Sequence, residues 1–295
     1  MTAKVISGKE VAAEIRADLK KWVEELKGKG IHPGLGVILV GEDPASVSYV
    51  TSKSQGCEEI GIFDDLIRVP ADTSEEEVLN MVEKMNNDPK YSGILVQLPL
   101  PDHIDEEKVV NAIAPEKDVD GFHPVNQGLL LRGEPCPLPC TAYGVQKMLM
   151  VSGNDPSGKH VVICGRSNIV GKPLAAMMMQ KAEGGNATVT VVHTGTKDPA
   201  YYTKQADILV AAMGKPEAIT ADMVKDGAIV IDVGVNRIDD PSKKKGFRLV
   251  GDVEYDPVAE KASYITPVPG GVGPMTVTML LYNTVECAER IGQAK

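Results

Sequence analysis

Two stretches of the chain carry residue types whose spacing could do chemistry. The first runs from Val161 to Pro173 and reads Val-Val-Ile-Cys-Gly-Arg-Ser-Asn-Ile-Val-Gly-Lys-Pro. An apolar run ends at Gly165, a polar turn follows, and a helix-like segment begins near Pro173. A strand that feeds a helix through a glycine turn can set a phosphate at a helix N-terminus. The usual dinucleotide spacing, G-x-G-x-x-G, is not met: Ser167 replaces the second glycine and Gly171 comes one residue late. On spacing alone, nucleotide binding and a plain strand-turn-helix stand level. The second stretch holds Tyr49 and Lys53, four apart in a helix-like segment, so that a phenol and an amine share one face. A surface Tyr-Lys pair is the plain alternative. The same spacing serves short-chain dehydrogenases, but there it follows the nucleotide turn, whereas here it comes well before Gly165 and in a different predicted domain.

Further apolar runs follow the first stretch at 187–192, 207–212 and 228–233, the last two closed by Gly214 and Gly234. Helix-like segments lie between them, so this part reads as a parallel sheet with crossovers, and ligands bind at the carboxyl ends of such strands. A site for NAD usually has an acid after the second strand. This chain has His193-Thr194-Gly195-Thr196-Lys197 there, and Arg166 stands in the turn. The missing acid and the planar cation favour the 2′-phosphate of NADP over NAD.

The front half alternates in the same way. Val11, Ile15, Leu19 and Val23 mark an amphipathic first helix, and strands are expected at 35–40, 62–69 and 91–96. A helix over 44–61 carries Tyr49 and Lys53. Ser74 and Glu77 form a capping box ahead of Val78, Val82 and Met85. Gln97 sits at a strand's carboxyl end, before the stiff Leu98-Pro99-Leu100-Pro101 exit, and Asp120 lies in the polar loop 117–124. Pro269-Gly270-Gly271-Val272-Gly273-Pro274 could let backbone approach a ligand closely. Taken singly, each of these reads as structural. The last helix, 276–291, has no strand after it and is expected to return to the first domain.

Composition narrows the classes. The 295 residues suit two domains. The net charge of −10, with no basic tract, argues against nucleic acid. No apolar run approaches the roughly 18 residues of a membrane span, and no signal-peptide core opens the chain. Acidity sits awkwardly with an anionic cofactor, so Arg166, Lys172 and Lys197 must make that site locally basic. Five cysteines, an odd number, suggest reduced thiols in the cytoplasm. Cys136 and Cys140 have no second pair and the five histidines show no ligand spacing, so no metal is expected.

Five segments together resemble one family. They are 49–53 (Tyr-Val-Thr-Ser-Lys), 93–101 (Gly-Ile-Leu-Val-Gln-Leu-Pro-Leu-Pro), 117–124 (Lys-Asp-Val-Asp-Gly-Phe-His-Pro), 165–173 and 269–276. In this order and over essentially the whole chain they resemble the bifunctional methylenetetrahydrofolate dehydrogenase/methenyltetrahydrofolate cyclohydrolases, the FolD family. The resemblance implies an α/β fold of two domains with a folate cleft between them. Residues 1–141 with 275–295 would form the folate/catalytic domain, and 142–274 a Rossmann-like NADP-binding domain with a parallel sheet. It implies a homodimer acting on one-carbon derivatives of tetrahydrofolate. It implies that Lys53 handles the proton of water addition, acting directly or through water once its own proton is released. Gln97 would orient the amine or the water, Tyr49 would stack on the pterin, and Asp120 would accept from its amino-pyrimidine edge. Val96, Leu98, Pro269, Gly270 and Gly273 would line the substrate. Gly165, Arg166, Ser167, Ile169, Thr194, Gly234 and Val235 would contact NADP. Two neighbouring readings remain: a dehydrogenase without useful cyclohydrolase activity, and a non-catalytic NADP- or folate-binding regulator. A dehydrogenase for an amino or hydroxy acid would need a proton-transfer group beside the nicotinamide, and none stands out.

Overall fold

The computed structural model describes residues 2–243 and 246–293. The chain divides into two compact units, one of Ala13–Cys140 with Val277–Lys295, the other of Met1–Ala12 with Thr141–Thr276.

The first unit is built on a three-stranded parallel sheet in the order Phe63–Val69, Gly34–Val40, Gly93–Val96. Every residue of the central strand is buried, as expected of a parallel strand covered on both faces. The helix Pro44–Ile60 opens with Asp43 accepting from the Ser46 amide at 2.8 Å and with proline in its first turn. It closes on Gly61 at φ 82°, a left-handed cap for which glycine has no Cβ penalty. The predicted capping box is present: Ser74 accepts from the Glu77 amide, and the Glu77 carboxylate accepts from the Ser74 amide. The helix it opens, Glu75–Asn87, packs Val78, Val82 and Met85 against Ile38, Ile94 and Val96. Each such side chain contributes roughly 1.5–3 kcal/mol by leaving water.

The second unit holds six strands, all neighbours parallel, in the order Lys4–Val5, Tyr264–Ile265, Ile229–Asp232, Ile208–Ala211, His160–Cys164, Thr188–Val192. From His160–Cys164 the chain passes to the edge strand Thr188–Val192. It then crosses back to Ile208–Ala211 on the other side. That reversal is a topological switch point, where open α/β sheets bind their ligands.

Several expectations need correction. Residues 1–12 belong with the nucleotide-type sheet, because Lys4 and Val5 pair with Tyr264 and Ile265; two residues are too few to show a strand period. The last helix is Val272–Gln293, so Gly273 and Pro274 lie in its first turn, where proline is tolerated, and not in an open loop. The antiparallel pair Asn236–Asp239 and Phe247–Val250 and the helix Pro124–Arg132 had no sequence signal strong enough to predict them. All five cysteines are buried free thiols. No described helix is long and apolar enough to cross a membrane.

Candidate active site

Lys53 projects from the helix Pro44–Ile60 as part of its buried row with Val50, Cys57 and Ile60. It is 7% exposed, which is unusual for lysine without a partner. The partner is Gln97: Lys53 Nζ donates to Gln97 Oε1 at 3.0 Å. Gln97 is carried one residue past the strand Gly93–Val96, its amide still donating to Ile38 O at 2.9 Å. Its own Nε2 donates to Leu98 O at 2.6 Å, which turns the side-chain oxygen toward the amine.

Asp120 completes this cluster. Burial pushes its carboxyl up to about 6, while the positive charge of Lys53 draws it down and Asp118 adds to the rise. The Cys140 thiol donates to Val119 O at 3.2 Å, next to Asp120 in this loop. Asp120 is therefore no solvated loop acid. Its loop is built by residues that sequence reasoning did not single out. Asp118 bridges to Ile94 beside the strand edge. Its carboxylate accepts from Gly121 N at 3.1 Å, His123 N at 2.8 Å and Asn126 Nδ2 at 2.9 Å. Lys117 is buried and donates to the carbonyls of Met85, Asn86 and Asp88, closing the end of the helix Glu75–Asn87. Asn283 of the last helix donates to Val119 O and Leu138 O, each at 2.8 Å. The charged triplet of this loop thus divides, with Lys117 and Asp118 holding the backbone and Asp120 set beside Lys53. Tyr49 is 43% exposed one turn before Lys53, Val96 is buried at the strand's end, and Leu98 is half-buried.

In the second unit, Gly165 ends the strand His160–Cys164 at φ 131°, and a Cβ there would strike the carbonyl of Ala212. A Cβ on Gly171 would strike the carbonyl of Gly165. The late glycine therefore serves the close helix–strand approach that the usual spacing assigns to its third glycine. Ser167 Oγ accepts from Val170 N at 3.1 Å and Gly171 N at 3.4 Å, capping the helix Gly171–Met179 and leaving its hydroxyl proton free to donate. Arg166 is exposed and makes no ion pair among the described residues, and Ile169 is 47% exposed. After the strand Thr188–Val192, His193 and Thr196 fix the turn through backbone amides and leave Thr194 exposed, with no acid nearby in the turn. Gly234 is buried and Val235 is 49% exposed. Pro269 is exposed and Gly270 has φ 102°. A Cβ on Gly8 would strike the carbonyl of Gly271, and one on Gly271 the carbonyl of Pro267, whereas Gly273 has open space where a side chain would be. A glycine cradle, a free hydroxyl donor and an unpaired guanidinium fit a dinucleotide with an extra phosphate.

Comparison with known proteins agrees with this geometry. The family model for the tetrahydrofolate dehydrogenase/cyclohydrolase catalytic domain matches residues 6–120, and that for its NAD(P)-binding domain matches residues 139–292. The bifunctional protein FolD of Moorella thermoacetica is 57% identical over 98% of this chain and 100% of its own length. The crystal structure of the bifunctional FolD of Campylobacter jejuni is 46% identical, with TM-score 0.92 over 98% of this chain and 99% of that one. The Trypanosoma brucei FolD, solved with NADP cofactor and inhibitor, is 41% identical, with TM-score 0.93 over 99% of each chain. With a buried amine beside a half-buried amide and carboxylate in one unit, a dinucleotide turn in the other, and both family models matched, the chain belongs to the tetrahydrofolate dehydrogenase/cyclohydrolase family.

Proposed function

We propose that this chain oxidises 5,10-methylenetetrahydrofolate to 5,10-methenyltetrahydrofolate with NADP and hydrolyses the product to 10-formyltetrahydrofolate. The observation that carries this reading is the buried Lys53 amine, hydrogen-bonded to Gln97 and within electrostatic reach of Asp120, in a chain of this family.

NADP, when bound, accepts a hydride from the one-carbon bridge. No proton moves in that step, so the chain needs only to hold the two carbons in van der Waals contact. Gly165, Arg166, Ser167, Ile169, Thr194, Gly234 and Val235 are the residues assigned to hold the cofactor, with Arg166 and Thr194 at its 2′-phosphate. Asp120 accepts from the amino-pyrimidine edge of the pterin, where two parallel hydrogen bonds can form, and Tyr49 stacks on the ring. Water addition to the methenyl cation does release a proton. Once Lys53 has released its own proton, its neutral amine takes the proton of water addition directly or through water, and Gln97 keeps the amine aimed. The resemblance also carries a homodimer and a cytoplasmic location as parts of the proposal; sedimentation tests the first.

The deciding assay supplies methylenetetrahydrofolate with NADP or NAD and follows the reduced nicotinamide and the methenyl absorbance together. Turnover with NADP and decay of the methenyl signal are expected. No reduced nicotinamide with either cofactor would leave only a binding protein. Arg166→Ala should weaken NADP far more than NAD; equal losses would remove the arginine from phosphate recognition.

A further inference from the structure

Two loops leave the carboxyl end of the six-stranded sheet on the side of the switch point away from Thr194. They are 212–215, after the strand Ile208–Ala211, and 233–236, after the strand Ile229–Asp232. One carboxylate ties both. Asp252 is fully buried and accepts through Oδ2 from Met213 N at 2.5 Å and Gly214 N at 2.9 Å. Through Oδ1 it accepts from Lys215 N and Asn236 Nδ2, each at 2.9 Å. No lysine or arginine pairs with it among the described residues. An acid buried without a counter-ion is tolerable when donors fill both its oxygens. Asp252 is itself held by Asp232, whose carboxylate accepts from Asp252 N at 2.9 Å, Val253 N at 3.0 Å and Gly234 N at 3.0 Å. Space is tight: a Cβ on Gly234 would strike the Asp252 carboxylate, and one on Gly251 that of Asp232. The loop that Asp252 fixes also begins at Ala212, whose carbonyl lies against Gly165 of the dinucleotide turn.

We infer that Asp252 is the positioning residue for the nicotinamide half of the cofactor site. The inference rests on the NADP reading above. A dinucleotide whose adenosine end lies over the strand Thr188–Val192 must cross the switch point, so its other half falls beside the two loops that Asp252 joins. Asp252 touches no reacting atom. It sets the distance between the loops through four donors, and the exposed Val235 stands on one of them.

Asp252→Asn tests this, because its amide replaces one acceptor oxygen with N–H groups that face N–H donors. Calorimetric titration with NADP should show binding weakened about tenfold or more. The dehydrogenase KM for NADP should rise and kcat fall, with the KM for methylenetetrahydrofolate little changed. Hydrolysis of methenyltetrahydrofolate supplied directly needs no nicotinamide and should stay near wild type. Asn236→Ala, which removes only one donor, should shift NADP binding in the same direction by less, and serves if Asp252→Asn fails to fold. Unchanged NADP affinity in a folded variant overturns the inference. So does equal loss of both activities together with NADP binding in Asn236→Ala, since that marks a purely structural role. Because titration needs no turnover, wild-type protein that binds NADP without oxidising the folate would sink the function and leave the role of Asp252 decided by binding.

Discussion

In the proposed reaction water addition depends on Lys53, and the surroundings of that side chain say why a neutral partner suits it. Gln97 accepts from the amine without cancelling its charge, and the half-buried Asp120 answers that charge from beside it. Lys53→Ala should lower the cyclohydrolase rate by roughly 10²–10⁴, the usual worth of a positioned acid–base group, and leave folate binding largely intact. Decay of methenyl absorbance checks the rate, and full activity would remove Lys53 from the chemistry. Asp120 gives a pH signature. Its carboxyl is raised to about 6, so it is ionised at pH 7 and becomes protonated as pH falls through 6. The acceptor pair is then lost, and the KM for the folate should climb on the acid side of 6. In Asp120→Asn the KM should be high and nearly flat over the same range. The stability term runs the opposite way. A carboxyl raised on folding favours the native state most at low pH, below its unfolded value near 4, and that contribution fades as pH rises through 6. Denaturant midpoints of wild type and Asp120→Asn between pH 4 and 7 should therefore converge or cross rather than run parallel.

The loop 117–124 shows how an element can be legible as a motif and still be misread for form. It reads in the sequence as a plain polar loop, yet Lys117 serves three helix-terminal carbonyls and Asp118 gathers three donors. Lys117→Met would strand those carbonyls in a buried place at a cost of about 1–3 kcal/mol. A lower urea midpoint with an unchanged m-value, and loss of folate affinity through a loosened Asp120, would confirm it. Four strands of the second unit were legible as β-branched runs, three of them closed by glycine, a signal that is local. The capping box was legible for the same reason, since its two members are three residues apart. Lys4–Val5 was not, because two residues acquire a strand only from their neighbours Tyr264 and Ile265. Lys53, Gln97 and Asp120 were found through the resemblance more than through spacing. Asp232 and Asp252 escaped both routes. An acid after an apolar run reads as a strand end, and only the folded sheet shows seven donors converging on the pair.

The chain passes between its two units at residues 12–13, 140–141 and 276–277, and all three crossings lie inside helices, Gly8–Gly28, Cys140–Val151 and Val272–Gln293. A ligand that binds only the folded dinucleotide unit stabilises it by mass action. NADP at about 100 times its Kd should add roughly 2.7 kcal/mol, read as a rise in Tm, and NAD at the same concentration should add less. An equal rise with both would argue against recognition of the extra phosphate. The thiols extend this to the whole molecule. Burial pushes Cys136 up to about 11 and Cys164 and Cys287 up to about 12, and raises Cys57 and Cys140 as well. Cys136, Cys140, Cys57 and Cys287 lie in one unit and Cys164 in the other. An alkylating reagent in dilute buffer therefore finds almost nothing to attack until the chain opens. The rate at which mass is added becomes a clock for local opening, with one set of hands in each half, and it needs no dye, tag or engineered probe.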